Sequence, residues 1–160
     1  MNKEEETRYD SALAFAKEKH EGQFRKGGDS YITHPIAVAE ILREKGFGID
    51  YQITGLFHDL LEDTDASEAE ILSLGNAEIL EAVRCLTKTE GYVMADYIDG
   101  IRKNEMAYAV KAADRLHNLR CAGEASESFR RRYIAESRVW YLDFDPEIIE
   151  AIEALEKTLL

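Results

Sequence analysis

Apolar residues recur along this chain at helical spacing, and no stretch of strand length alternates cleanly between apolar and polar positions. The first amphipathic block runs from about Thr7 to His20, with Leu13, Phe15 and Ala16 on its apolar side. A loop rich in turn formers follows, Gly22 to Tyr31, with Gly27-Gly28 and Asp29-Ser30 at its centre. His34-Pro35 opens a second helix, because proline is well tolerated where the backbone N–H needs no partner. That helix carries Ile36, Val38, Ala39, Ile41 and Leu42 and stops at Gly46. A third helix is expected from about Asp50 to Glu62. Ser67-Glu-Ala-Glu70 has the capping-box pattern of a short helix ending near Gly75, and Asn76 can cap another to about Thr87. A less regular stretch then leads to a helix from about Asn104 to Arg120. Gly123 and Ser126 separate it from one reaching about Tyr141, and Asp145-Pro146-Glu147 opens the last. The pattern predicts an all-α fold, with Trp140, Tyr141 and Phe144 packing the final two helices together.

Composition agrees. The 160 residues suit one compact domain over 1–160. Hydrophobic residues make up 45%, too many for a disordered chain, and only two prolines interrupt the helices. Cys85 and Cys121 form no paired framework and read as two reduced thiols. The N-terminus has no apolar signal core, and no run approaches the ~20 apolar residues of a membrane span, so a cytoplasmic protein is expected.

Charge changes the picture more. A formal net charge of −12 argues against general nucleic-acid binding, which needs a basic surface. The charge is uneven: Leu61–Asp99 holds two Lys/Arg against ten Asp/Glu, whereas Ile101–Trp140 holds nine against five. The acidic part would attract divalent cations. The basic part could line a pocket for an anion inside an acidic shell, although solvated helix faces account for most of these charges.

The densest chemistry lies in Phe57-His58-Asp59-Leu60-Leu61-Glu62-Asp63. On one helix, at about 100° per residue, His58, Asp59, Glu62 and Asp63 fall at about 0°, 100°, 40° and 140°, opposite Ile53, Leu56, Leu60 and Leu61. A wet amphipathic face is the plain alternative. Against it, three carboxylates on one stripe carry no compensating Lys or Arg, and a divalent cation would supply the missing charge. His34, at a helix start, has a ligand's chemistry, but taken alone it reads better as a helix-capping or satisfied histidine. Around Asp114, the wheel groups Asn118, Lys111 and Arg115 within about 100°, either as a site or as a salt-bridged surface. His117 turns away from that face, and His20 reads as a helix-end residue.

These residues carry a resemblance. His34, His58-Asp59 and Asp114 reproduce the H…HD…D signature of the HD phosphohydrolases. Gly22-Gln-Phe-Arg25-Lys26, Tyr31-Ile-Thr-His34-Pro35, His58-Asp59-Leu-Leu-Glu62-Asp63, Leu86-Thr87-Lys88 and Lys111-Ala-Ala-Asp114-Arg115-Leu-His-Asn118 follow in order. They resemble the hydrolase domain of the RelA/SpoT enzymes and the stand-alone small alarmone hydrolases. The likeness is strongest over residues 12–120, leaving 121–160 as C-terminal packing helices. It implies a single HD-domain helical bundle that hydrolyses guanosine 3′,5′-bis(diphosphate) (ppGpp) or its pentaphosphate to GDP or GTP and pyrophosphate. It further implies one divalent ion, usually manganese, on His34, His58, Asp59 and Asp114. Glu62 and Asp63 would handle the attacking water and the protons. Arg25, Lys26 and Asn118, with Lys111 and Arg115 as weaker candidates, would contact a small-molecule nucleotide. Neither nucleic acid nor a membrane would be a partner, and a homodimer is compatible with the sequence. Two segments depart from the family pattern: the stretch between the two histidine motifs is short, and Gly91–Asp99 is acidic where a basic stretch is expected. Other HD-type reactions on nucleotides, such as NADPH 2′-phosphate removal, nucleotide phosphatase or phosphodiesterase activity, would use the same metal residues. A non-catalytic nucleotide-binding regulator and a purely structural helical adaptor are the readings outside enzymes.

Overall fold

The computed structural model describes all residues from Met1 to Leu160 and contains ten α-helices and one 3₁₀ turn, with no strand beyond a single bridge between Phe24 and Ser30. The helices are α1 (Lys3–Lys19), α2 (Thr33–Glu44), α3 (Ile49–Phe57), α4 (Leu60–Asp63), α5 (Glu68–Leu74), α6 (Ala77–Leu86), α7 (Met94–Arg102), α8 (Glu105–Cys121), α9 (Glu127–Trp140) and α10 (Pro146–Lys157). The expected all-α class is what the chain adopts. No helix is long and apolar enough to cross a membrane.

Local signals explain most of the boundaries. Ser67 and Glu70 form a reciprocal capping box on α5, and the Asn76, Asn104, Ser126 and Asp145 side chains cap α6, α8, α9 and α10. Helix α1 starts earlier than its apolar pattern suggests, because Asn2 and Glu5 form a second capping box. Helix α2 begins one residue before His34, which puts Pro35 third; its missing N–H still costs nothing in the first turn. Helix α7 occupies the stretch that looked irregular. It is amphipathic, but its buried positions are only Ile98 and Ile101.

The larger difference is the helix expected over Asp50–Glu62, which is two pieces. Asp59 leaves helical backbone at φ −119°, ψ 9°, so α3 ends at Phe57 and α4 restarts at Leu60. The Gly55 carbonyl, which an uninterrupted helix would offer to the Asp59 N–H, accepts a hydrogen bond of 2.7 Å from Nδ1 of His58.

At the centre, α2, α3 and α8 pack against one another, with α1, α6 and α10 around them. One apolar cluster runs through the molecule and includes Val38, Leu42, Leu56, Phe57, Leu116 and Ile148. Tyr141 and Phe144 do more than join the last two helices: Phe144 stacks on Tyr108 of α8 at 4.2 Å, and buried Tyr141 lies under the Arg115 guanidinium at 4.0 Å.

The approach of α2 to α3 depends on Gly55. A Cβ there would lie 3.1 Å from Leu42 Cδ1, 3.3 Å from Val38 Cγ1 and 3.4 Å from the Ala39 Cα. Gly55→Ala gains up to ~1 kcal/mol of helix propensity, but overpacking of this kind costs ~1–3 kcal/mol. The expected net result is a lower thermal midpoint. A midpoint at or above the parent's would show that the crossing has slack.

Candidate metal centre

Three helices converge on one buried point. His34 comes from the first turn of α2, His58 from the C-terminal end of α3 and Asp114 from the middle of α8. One ligand atom from each lies within 4.8 Å of the others. Nε2 of His34 is 2.7 Å from Asp114 Oδ1, and Nε2 of His58 is 3.4 Å from the same oxygen. The bond from His58 Nδ1 to the Gly55 carbonyl turns Nε2 of that ring toward the centre. Asp59, delivered by the break between α3 and α4, brings Oδ2 to 3.8 Å from His58 Nε2. The Tyr31 hydroxyl donates to this same oxygen.

Asp114 is the hub. It also accepts from Lys111 Nζ at 3.1 Å and from the Asn118 amide at 3.1 Å. Burial opposes its ionisation, but Lys111 and His58 outweigh burial and hold its carboxyl well below the usual range. Burial likewise opposes a charge on His58, yet Asp59 and Asp114 lift its pKa to about 9. Burial wins at His34, whose pKa is lowered. Two carboxylates thus dominate the centre: they favour positive charge at His58, and Lys111 faces Asp114.

The donor set fits a divalent ion. Imidazole and carboxylate together suit manganese, iron or zinc. A second observation points the same way: Asp59 Oδ1 is buried without a hydrogen-bond partner. Nε2 of His20 lies 3.2 Å from it and is likewise without a hydrogen-bond partner. Such buried acceptors are rare unless something else satisfies them.

The remaining expected site residues are placed as follows. Glu62 Oε1 accepts the Lys88 backbone N–H at 2.7 Å, which ties α4 to the segment after α6. Asp63 lies beside Asp59 and Glu62 in α4; partial burial, then those two charges, raise its pKa. Arg25 donates to Asn118 Oδ1 at 3.0 Å, and Asn118 donates to Asp114, a chain from the surface loop into the centre. The loop that presents Arg25 is closed by a hydrogen bond from the Arg25 N–H to the Asp29 carbonyl at 2.8 Å, with Gly28 at φ +99°, a conformation glycine adopts without strain. Lys26 lies over the Phe129 ring at 4.2 Å. Arg25, Lys26, Tyr31, Asn118, Phe129 and Tyr133 line a cavity of about 240 Å³ beside the centre. Lys111 and Arg115 are already engaged, Lys111 with Asp114 and Arg115 with Glu136 at 2.6 Å, the latter guanidinium lying over Tyr133 and Tyr141.

Four contributors escaped the sequence reading. Tyr31 and His20 both meet Asp59. His117, expected to turn away, reaches Nδ1 of His34 with its own Nδ1 at 2.8 Å. Its position three residues after Asp114 was the usable signal, since i and i+3 share a helix side. Lys88 sits half-buried against Tyr92 and Tyr97, its pKa lowered by burial and then by Lys111. Cys85 and Cys121 are free thiols.

The sequence profile of the HD domain matches residues 12–141. This chain belongs to the HD domain family. The bifunctional (p)ppGpp synthase/hydrolase SpoT of Escherichia coli is 34% identical over 137 residues, covering 79% of this chain and 20% of that protein. The guanosine-3′,5′-bis(diphosphate) 3′-pyrophosphohydrolase of Haemophilus influenzae is 34% identical over 133 residues, covering 76% and 20%. A probable GTP pyrophosphokinase of Mycobacterium leprae is 38% identical over 118 residues, covering 68% and 15%. The chain thus spans about a fifth of the length of these relatives. Among solved structures, a metazoan ortholog of SpoT described as hydrolysing ppGpp superposes with a TM-score of 0.70 at 23% identity, over 95% of this chain and 91% of that one; the likeness is one of fold.

Proposed function

We propose that this HD domain hydrolyses ppGpp-type nucleotides at the 3′-diphosphate, releasing pyrophosphate, with Mn²⁺ on His34, His58, Asp59 and Asp114. The observation that carries the reading is the direct link between the ligand cluster and the aromatic-walled cavity beside it, through Asp114, Asn118 and Arg25. The names of the bacterial relatives support the same substrate.

When bound, a divalent ion lowers the pKa of a coordinated water toward about 7 and draws charge from a phosphoryl oxygen. The chain's own groups do the rest. Arg25 offers a guanidinium plane on which a base can stack, and Phe129 and Tyr133 supply an aromatic wall, their rings 5.2 Å apart. The 240 Å³ cavity is smaller than a typical drug-sized ligand pocket of ~300–1,000 Å³, so it takes the base end while the phosphates lie outside it, toward the metal. Lys26, on the cavity wall over Phe129, would lie against the base, and Lys88 would meet phosphate oxygens. Lys111 and Arg115 act through the groups they hold, Lys111 on Asp114 and Arg115 on Tyr133. Glu62 takes the proton of the attacking water. Asp63, whose raised pKa suits a group that carries a proton part of the time, returns one to the leaving side.

The test is pyrophosphate release from ppGpp with Mn²⁺ and with EDTA, beside NADPH, deoxynucleoside monophosphates and cyclic dinucleotides. Pyrophosphate from ppGpp only in the presence of metal is the expected result. Phosphate from NADPH with an inert ppGpp would reassign the substrate, and no turnover of any of them would sink the enzyme reading. Arg25→Ala is expected to raise KM for ppGpp about tenfold or more, because it removes both the stacking plane and the Asn118 partner; loss of one base-stacking contact costs ~1–3 kcal/mol.

A further inference from the structure

We propose that His117 is a positioning residue that fixes which nitrogen of His34 faces the metal; this rests on the metal reading above. His34 can serve a cation only through a lone pair on Nε2, the atom 2.7 Å from Asp114 Oδ1. A neutral imidazole carries one ring hydrogen, which must then sit on Nδ1 and needs an acceptor. The neighbour of that nitrogen is Nδ1 of His117, 2.8 Å away, the two rings lying 5.0 Å apart and 24° from parallel. For His117 to accept there, its own hydrogen must be on Nε2, and that nitrogen faces Cys121 Sγ at 3.4 Å, a weak acceptor. Each hydrogen in the row His34–His117–Cys121 therefore has one place to go when a cation is present.

The same groups accept the reversed set of hydrogens. If His34 keeps a hydrogen on Nε2 and gives it to Asp114, His117 donates from Nδ1 and accepts the Cys121 thiol hydrogen on Nε2. A metal selects between two arrangements that the row already accommodates. Metal-binding histidines ordinarily donate their second N–H to a carboxylate or a carbonyl. A neutral imidazole does that work here without adding a further negative charge to a centre that already holds Asp59 and Asp114.

The experiment compares the parent chain, His117→Asn and His117→Leu by Mn²⁺ titration, following loss of the free-ion EPR signal, and by melting in EDTA. Asn places its Oδ1 acceptor where Nδ1 of the ring stood, whereas Leu offers none. Removing such a partner weakens metal affinity by roughly 10–100-fold. That loss is expected for His117→Leu, with most of the affinity kept by His117→Asn. A merely structural role predicts the reverse ranking, since Leu is the better helix former. Parent-like affinity in the Leu variant, or equal losses in both, overturns the inference. A parent chain that binds no Mn²⁺ overturns the metal reading itself, and this assignment with it.

Discussion

Asp114→Ala is expected to abolish saturable Mn²⁺ binding and, in the same protein freed of metal, to lower the thermal midpoint by on the order of 10 °C. The two losses have separate causes. The first follows from geometry, since Asp114 Oδ1 is the atom that both histidine Nε2 atoms approach. The second follows from charge. The Lys111 and Asp114 side chains are 12% and 9% exposed, and alanine leaves the ammonium buried opposite nothing. Removing one member of a buried pair costs about 3–5 kcal/mol, and ~1 kcal/mol moves the midpoint of a chain this size by roughly 2–4 °C. Asn118 and His34 lose a partner as well. Adding Lys111→Met to Asp114→Ala separates the causes: stability should largely return, because an apolar chain replaces the stranded charge, while metal binding should not. Should metal-free Asp114→Ala melt with the parent, the Lys111–Asp114 pair is not the electrostatic hub assigned to it.

The same cluster shows what a sequence can and cannot disclose. The helices whose apolar faces repeat over about three turns or more, α2, α6, α8 and α10, were legible, as were the ends marked by Ser67, Asn76, Asn104 and Asp145. Helix α7 was not, because two buried isoleucines among acidic and aromatic neighbours give too short a stripe to tell from a loop. The break at His58–Asp59 was hidden for a different reason. Neither residue is a backbone breaker, and the break coincides with a side chain, His58, bonding the Gly55 carbonyl, which no periodicity registers. An uncompensated charge pattern marked only His58, Asp59, Glu62 and Asp63; His34 and Asp114 joined them through the family resemblance, and the fold brings His34, His58 and Asp114 together with Asp59 beside them. Their partners stayed invisible. Whether His117 or Tyr31 belongs to the centre depends on how α2 crosses α8 and on where the loop after α1 folds back. Lys111 and Arg115 looked alike on a wheel. Packing separates them: one amine is spent on Asp114, and one guanidinium is sandwiched between Tyr133 and Tyr141.

Glu62→Gln should leave Mn²⁺ affinity near that of the parent while kcat for ppGpp falls by about 10²–10⁴, the usual worth of a positioned general base. The substitution is chosen for what it preserves. Glu62 Oε1 accepts the Lys88 N–H, and the glutamine carbonyl can accept the same bond, so α4 and the segment after α6 stay tied. What disappears is the capacity to take a proton. Glu62 is exposed, in contrast to buried Asp59 and Asp114, so its loss strands no charge and the metal-free midpoint should stay within a few degrees. That separates it from Asp114→Ala, in which affinity, stability and turnover fall together. Here only turnover falls, and it falls in kcat rather than in KM, because the carboxylate acts on the attacking water and not on the bound nucleotide. A Glu62→Gln protein that turns over at the parent rate would remove Glu62 from the chemistry and leave Asp63, next to it on α4, as the base. One that loses metal instead would make Glu62 a ligand, and its bond to Lys88 would then have to break on loading.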